Sequence, residues 1–118
     1  MFHVLLGVST IFAQQPSWTI TPFVKQDVDN PILTPIQTTE FLCPVSNQKI
    51  HWESKDVYNP AAVVRKGKVY LLYRAEDTLK SVDGTSRMGL AVSSDGIHFK
   101  RQSKPVLFPE NDFMKPYE

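Results

Sequence analysis

Residues 58–77, Y-N-P-A-A-V-V-R-K-G-K-V-Y-L-L-Y-R-A-E-D, and residues 86–101, S-R-M-G-L-A-V-S-S-D-G-I-H-F-K-R, decide the fold of this chain. Their apolar runs are short and rich in β-branched and aromatic residues, and turn residues bound each run. That pattern is typical of β-strands. The two stretches therefore predict an all-β structure.

The turn residues set the order of the strands. Lys66-Gly67 predicts a hairpin, because two-residue turns of this kind join antiparallel strands. Asp95-Gly96 is a second turn signal. We expect an up-and-down sheet with strands at residues 63–64, 69–73, 88–92 and 97–100. Four short strands within roughly 45 residues match one blade of a β-propeller.

Alternation along residues 69–75 predicts which side chains share a face of the second strand, since successive side chains of a strand point to opposite faces. One face carries Val69, Leu71, Tyr73 and Ala75, and the other carries Tyr70, Leu72 and Arg74.

Three motifs in this region together resemble the opening blade of glycoside hydrolase family 130. They are Y-N-P-A-A-V-V at 58–64, V-Y-L-L-Y-R-A-E-D at 69–77 and S-R-M-G-L-A-V-S-S-D-G-I-H-F at 86–99. The resemblance covers residues 57–110. The family contains β-mannoside phosphorylases and some β-mannoside hydrolases on a five-bladed propeller. The resemblance thus implies the first blade, with an N-terminal arm, of a five-bladed β-propeller that is incomplete in this chain.

The length of 118 residues allows at most one small domain. A closed propeller needs at least four blades of roughly 40–50 residues each. We therefore expect an N-terminal fragment of a longer protein, with a complete small β protein as the alternative. The expected division is a signal-peptide segment at 1–13, an extended N-terminal arm at 14–56, and the first blade with the start of the next at 57–118.

Composition excludes several classes of partner. The net charge of +1 gives no indication of a nucleic-acid partner, and no stretch is long and apolar enough to span a bilayer. The single cysteine, Cys43, cannot form an internal disulfide and lacks companions for a metal site. We expect it to be a half-buried small apolar residue, and we expect no metal and no cofactor. The oligomeric state is left open.

Residues 1–13, M-F-H-V-L-L-G-V-S-T-I-F-A, are apolar and end in a small residue before Gln14-Gln15. This order predicts the later part of a secretory signal peptide, although no Lys or Arg precedes the apolar run. A secreted or periplasmic location follows. The alternative is a buried N-terminal strand, with a cytoplasmic protein.

The arm at 14–56 contains prolines too often for a long helix or a central strand. We expect an extended segment with short strand pieces near 18–24 and at 41–42. Buried aromatic area should anchor it through Trp18, Phe23, Phe41 and Trp52. Stacking on a sugar is the alternative role for Trp52.

Three polar residues near strand ends are candidate substrate-binding residues: Asn59, Arg74 and Asp77. The amide of Asn59 suits sugar hydroxyls, with turn capping as its alternative. The planar guanidinium of Arg74 can clamp adjacent hydroxyls, with pairing to Glu76 or Asp77 as its alternative. The resemblance places a sugar-binding Asn and Arg at these two motif positions. Glu76 and Asp77 are then either partners of Arg74 or sugar ligands.

Glycoside cleavage needs a carboxylic acid that protonates the leaving oxygen. The resemblance implies an inverting enzyme whose acid is an aspartate in a G-x-x-E-D-P-R-type motif, which is absent from these residues. We therefore expect no catalytic residue here and a general acid beyond Glu118. We also expect the chain alone to show no turnover.

The resemblance implies a β-mannoside oligosaccharide as substrate, cleaved by hydrolysis or by phosphorolysis with inorganic phosphate as co-substrate. Secretion favours hydrolysis, because charged sugar phosphates are hard to recover outside the cell. A non-catalytic carbohydrate-binding propeller is the alternative: it would keep Asn59 and Arg74 and lack the acid. A purely structural β repeat would need no such polar pair.

Overall fold

The computed structural model of the protein describes residues 16–19, 22–78 and 85–113. Their regular elements are all strands: β1 Phe41–Cys43, β2 Gln48–Ile50, β3 Asp56–Arg65, β4 Lys68–Glu76, β5 Ser86–Ser93 and β6 Lys100–Arg101. These ranges contain no helix, and hence none that could cross a membrane. The predicted all-β class is confirmed. The predicted signal segment at 1–13 lies outside the described residues.

Strands β3 to β6 form one antiparallel sheet in chain order, which is the meander of a propeller blade. The hairpin between β3 and β4 turns at Lys66-Gly67, with Arg65 paired to Lys68. Lys66 and Gly67 have φ angles of 50° and 69°, as a type I′ turn requires. The predicted turn and the order of the strands are confirmed.

The alternation predicted for β4 is also confirmed. Leu71, Tyr73 and Ala75 are buried, whereas Tyr70, Leu72 and Arg74 are partly or fully exposed. Val69, at the start of the strand, is only partly buried. Tyr73 lies opposite Gly89 of β5 in the ladder. A Cβ atom on Gly89 would lie 2.2 Å from Cζ of Tyr73, so the tyrosine ring occupies the space that the glycine leaves.

The fourth strand begins later than predicted. Residues 97–99 lie outside β6, which starts at Lys100. The side chain of Asp95 accepts hydrogen bonds of 2.9 Å from the backbone N–H groups of Ile97 and His98. These amides are therefore satisfied within the turn, and the ladder with β5 starts only after them. Further along, Met88 pairs with Leu107, so the segment after β6 returns to the edge of β5.

The arm reaches the blade through a small second sheet and the loop after it. β1 and β2 form an antiparallel hairpin, and Phe41 and Trp52 are buried in the core as predicted. Trp18 and Phe23 are each 80% exposed, so the prediction that they anchor the arm is wrong. The described residues near 18–24 form no strand either. The arm first packs against the core at Leu33, beyond both aromatic residues.

Candidate functional site

Arg74 lies near the end of β4 with 43% of its side chain exposed. Its Nε donates a hydrogen bond of 2.7 Å to Oγ of Ser86, and its Nη2 donates one of 3.1 Å to Oε1 of Glu76. The guanidinium carbon lies 4.9 Å from the centre of the Tyr58 ring, within the range of a cation–π contact. Among the described residues, Nη1 has no partner. Arg74 is thus fixed along one edge and open along the other.

Glu76 is the acceptor at the centre of this group, and its side chain is 13% exposed. Its Oε1 accepts hydrogen bonds from the Tyr58 hydroxyl, from Oγ of Ser86 at 3.0 Å and from Arg74. Its Oε2 lies 3.5 Å from Nζ of Lys55. The hydrogen bond from Tyr58 is the main cause of a pKa of Glu76 below the usual range of a glutamate. The pairing of Arg74 with Glu76, which the sequence left open, is present.

The pKa of Tyr58 is shifted in the opposite direction from that of Glu76. Burial, and then its hydrogen bond to Glu76, raise the pKa of the Tyr58 phenol above its usual value. The phenol therefore stays protonated and donates to the carboxylate. Sequence reasoning gave no role to Tyr58 or Ser86, because which side chains meet across strands depends on the register of the ladder.

Asn59 lies in a β-bulge of β3, beside the residue that pairs with Arg74. The ladder pairs Tyr58 with Arg74 and then Ala61 with Leu72, so Asn59 and Pro60 together oppose one residue of β4. The φ angle of Asn59 is 49°, in the left-handed region that asparagine tolerates better than most residues. Asn59 is exposed, and its amide makes no hydrogen bond to any residue that the structure describes.

Asp77 is separated from this group, on the buried side of the sheet. It is 2% exposed and its Oδ2 lies 2.5 Å from Nη1 of Arg87. Arg87 is itself buried and also donates a hydrogen bond of 2.9 Å to the carbonyl of Thr85. The structure therefore brings Asn59 and Arg74 into neighbouring positions and places Asp77 in an ion pair elsewhere. The substrate-binding role of Asp77 stays a prediction.

A cleft of about 400 Å³ adjoins Arg74. Its polar lining comes from Arg74, Ser86 and Arg87, and its apolar wall comes from Met88, Leu107, Phe108 and Pro109. Apolar walls with a few polar groups are characteristic of small-molecule sites.

A second polar cluster joins the arm to the blade, and sequence reasoning missed it entirely. Glu53 is fully buried, and its Oε2 accepts hydrogen bonds of 2.9 Å from the Tyr73 hydroxyl and 2.6 Å from Nη1 of Arg101. Its Oε1 accepts one of 2.7 Å from Thr39. Arg101 also donates to the carbonyl of Thr34. These contacts fix the arm against the side of the sheet opposite Arg74.

Cys43 is buried, with 4% exposure, not half-buried as predicted. Its Sγ lies 3.6 Å from Nη2 of Arg87, which packs over this hairpin. Burial alone would raise the pKa of the Cys43 thiol, but hydrogen bonds from Ser46 and Arg87 outweigh burial and lower it to about 7. Within the described ranges, no three His, Cys, Asp or Glu residues lie close enough together to hold a metal ion.

Comparison with known proteins assigns the family. The family model for glycoside hydrolase family 130, described as β-1,4-mannooligosaccharide phosphorylase, matches residues 23–115. The chain belongs to glycoside hydrolase family 130. The resemblance read from the three motifs is thereby confirmed.

Two curated relatives from Thermoanaerobacter sp. (strain X514) are similar to this chain. One is a 1,2-β-oligomannan phosphorylase, 37% identical over 92 residues, which are 75% of this chain and 27% of the relative. The other is a β-1,2-mannobiose phosphorylase, 37% identical over 88 residues, which are 66% of this chain and 28% of the relative. The chain thus spans little more than a quarter of the length of either relative.

Two solved structures share the fold of this chain. A glycosyl hydrolase from Bacteroides ovatus superposes with a TM-score of 0.75 at 42% identity, over 86% of this chain and 29% of that protein. A second structure, with a TM-score of 0.74 at 46% identity, covers the same shares. It comes from work reporting that the family of mannoside phosphorylases contains glycoside hydrolases that target β-1,2 mannosidic linkages in Candida mannan. These likenesses support the fold described above.

Proposed function

We propose that the protein cleaves β-mannosides and that Arg74 and Asn59 hold one mannose unit at the edge of the blade. Membership of the family supports the activity. The observation that carries the binding role is the half-exposed guanidinium of Arg74, whose Nη1 has no partner among the described residues. Asn59 lies next to the residue that pairs with Arg74, and its exposed amide is also unpaired within those residues.

The chemistry of these two groups fits a neutral sugar. A mannose unit offers hydroxyl groups that both donate and accept hydrogen bonds. The guanidinium edge supplies donors, and the amide of Asn59 supplies two donors and an acceptor. Arg74 is oriented before any ligand arrives, because Ser86 and Glu76 already hold its other edge. Pre-orientation lowers the entropy that binding must overcome.

Asp77 enters the proposal less directly. Its carboxylate is taken by Arg87 in the buried part of the sheet. This contact favours a structural role for Asp77, in which its ion pair with Arg87 holds the start of β5 in place. Substitution of Asp77 would then lower the stability of the protein more than its affinity for substrate.

We propose β-1,2-linked mannosides as the substrates, because two curated relatives and one similar structure are described with that linkage. For the reaction we propose hydrolysis by an inverting mechanism, with a general acid that is not among the candidate residues described above. The apolar residues 1–13 support a secreted or periplasmic protein, which favours a water nucleophile. The similarity to the structure described with hydrolases also supports this choice.

Activity of the full-length protein on β-1,2-mannobiose tests the proposal. Because a hydrogen bond to a charged group contributes about 1.5–3 kcal/mol, Arg74→Ala should lower kcat/KM by roughly 10- to 100-fold. Arg65→Ala is the matched control, since Arg65 is an exposed arginine at the far end of β3. Equal kcat/KM for the Arg74 and Arg65 variants would refute the binding role.

Phosphate dependence tests the choice of reaction. A hydrolase releases mannose at the same rate with and without inorganic phosphate. A strict requirement for phosphate, with mannose 1-phosphate as product, would overturn hydrolysis and leave phosphorolysis as the reaction. The binding roles of Arg74 and Asn59 do not depend on this outcome.

A further inference from the structure

We infer that Glu76 is a positioning residue that sets the direction of Arg74 towards the substrate; this inference rests on the proposed function of Arg74. One oxygen of Glu76, Oε1, accepts hydrogen bonds from three side chains on three strands: Tyr58 of β3, Arg74 of β4 and Ser86 of β5. These three hydrogen bonds fix the Glu76 carboxylate relative to all three strands.

The same partners also restrain Arg74 directly. Ser86 accepts a hydrogen bond from Nε of Arg74 and donates one to Glu76. The ring of Tyr58 lies 4.9 Å from the guanidinium carbon, and its hydroxyl donates to Glu76. Ser86 and Glu76 hold one edge of the guanidinium, and the Tyr58 ring covers one face. Nη1 is the nitrogen that these three contacts leave open.

Without such restraint, an arginine at this site would lose much of its value for binding. A side chain that is 43% exposed samples many rotamers, and ordering it on binding costs free energy. Glu76 is far less exposed, at 13%, so it can serve as the fixed partner of the pair. A solvent-exposed surface ion pair would not provide this restraint, because both partners would remain mobile.

The ionised carboxylate is the form that best accepts three hydrogen bonds at one oxygen, because a charged oxygen is a stronger acceptor than a neutral one. The charged groups around it favour that form: Arg74 on the same strand and Lys55, whose Nζ is 3.5 Å from Oε2. Asp56 pairs with Glu76 in the ladder, but its carboxylate lies 3.8 Å from the same Lys55. The lowered pKa of Glu76 agrees with this geometry.

A double-mutant cycle in the full-length protein tests the inference, with KM and kcat measured on β-1,2-mannobiose. At metal sites, loss of a residue that orients a ligating side chain typically costs about 10- to 100-fold in affinity or activity. By the same logic, Glu76→Ala should raise KM by about tenfold and change kcat less. In an Arg74→Ala background, Glu76→Ala should change KM no further. Additive effects in the cycle would overturn the inference, since Glu76 would then act independently of Arg74.

Conservative variants separate positioning from folding. Glu76→Gln keeps the shape and one acceptor oxygen and should recover part of the lost affinity. Tyr58→Phe keeps the ring and removes one donor, so it should raise KM less than Glu76→Ala does. If Glu76→Ala fails to fold, Glu76→Gln and Tyr58→Phe still test the inference. Glu40→Ala, at an exposed carboxylate 3.9 Å from Lys49, is the control and should leave KM unchanged.

The outcomes distinguish the inference from the proposed function. If Arg74→Ala lowers affinity and the Glu76 and Tyr58 variants do not, the positioning role is refuted and the binding role stands. If Arg74→Ala has no effect, the binding role itself fails. If the Glu76 variants lower kcat and stability without raising KM, Glu76 is structural and the inference is overturned.

Discussion

The hydroxyl of Tyr73 donates a hydrogen bond of 2.9 Å to Oε2 of Glu53, and both side chains are almost completely buried. Tyr73 belongs to β4 of the blade, whereas Glu53 belongs to the arm. Arg101 of β6 approaches the same oxygen at 2.6 Å, so one carboxylate joins the arm to two strands of the sheet. Burial, and then the charge of Glu53, raise the pKa of Tyr73, which keeps the donor protonated.

Glu53→Ala should therefore destabilise the protein strongly. The substitution leaves Arg101 without its carboxylate, and breaking a buried ion pair by removing one partner costs about 3–5 kcal/mol. Tyr73→Phe removes one hydrogen bond and should cost about 1–3 kcal/mol. The free energy of unfolding in urea is the measurement. Glu40→Ala, at an exposed carboxylate, should change it by less than about 0.5 kcal/mol. A Glu53 variant as stable as the Glu40 variant would contradict the bridging role.

Gly89→Ala should destabilise the sheet because Tyr73 fills the space above Gly89. The added Cβ would lie 2.2 Å from Cζ of the tyrosine ring. The ring would therefore have to move, which would weaken the hydrogen bond from the Tyr73 hydroxyl to Glu53. Overpacking of this kind typically costs about 1–3 kcal/mol. Unfolding free energies of Gly89→Ala in the native and Tyr73→Ala backgrounds check the cause. The penalty should disappear when the ring is absent, and a penalty of equal size in both backgrounds would place the strain elsewhere.

The candidate site shows why strand patterns alone do not place side chains. Counting back from the turn at Lys66-Gly67, an unbroken ladder would pair Asn59 with Arg74. The bulge adds one residue to β3, so Tyr58 pairs with Arg74 and Asn59 lies beside them. The motifs were sufficient to propose Asn59 and Arg74 as substrate-binding residues. The role of Tyr58 depends on a register shift that the local sequence does not predict.

Other features depended on contacts between residues far apart in the chain. The turn, the strand order and the alternation of β4 follow from local residue types, and they were predicted correctly. Glu53 and Arg101 are 48 residues apart and belong to no motif, so their contact was not predictable from spacing. Trp18 shows the converse error, because an apolar ring in a proline-rich arm is buried only where the arm meets the blade.

Lys66→Asn should stabilise the hairpin between β3 and β4. Lys66 has a φ of 50°, and this left-handed region costs most L-residues about 1–2 kcal/mol, whereas asparagine tolerates it. Because Lys66 is exposed and at the turn, little packing is lost. Thermal unfolding should therefore shift upward by the equivalent of up to about 1 kcal/mol. Arg65→Asn, next to the turn and within the strand, is the control and should not stabilise; stabilisation by both would indicate a charge effect.

The pair of Asp95 and His98 should make a small part of the stability pH-dependent. Nδ1 of His98 lies 2.7 Å from Oδ2 of Asp95, and this hydrogen bond raises the pKa of His98 and lowers that of Asp95. The contribution of a histidine whose folded pKa is raised is complete below its unfolded pKa of about 6.5, and it is lost as pH rises through the folded pKa. The contribution of Asp95 is lost at the acid end, as pH falls through its lowered pKa.

An NMR titration of the His98 ring checks this prediction directly. The pKa of His98 should lie above about 6.5 in the native protein and return towards that value in Asp95→Asn, which keeps an acceptor for the turn amides. Assignment of the resonance follows from its loss in His98→Gln. Because both side chains are exposed, 1 M salt should reduce the shift. A pKa that is the same in the native and Asp95→Asn proteins would show that the ion pair does not form in solution.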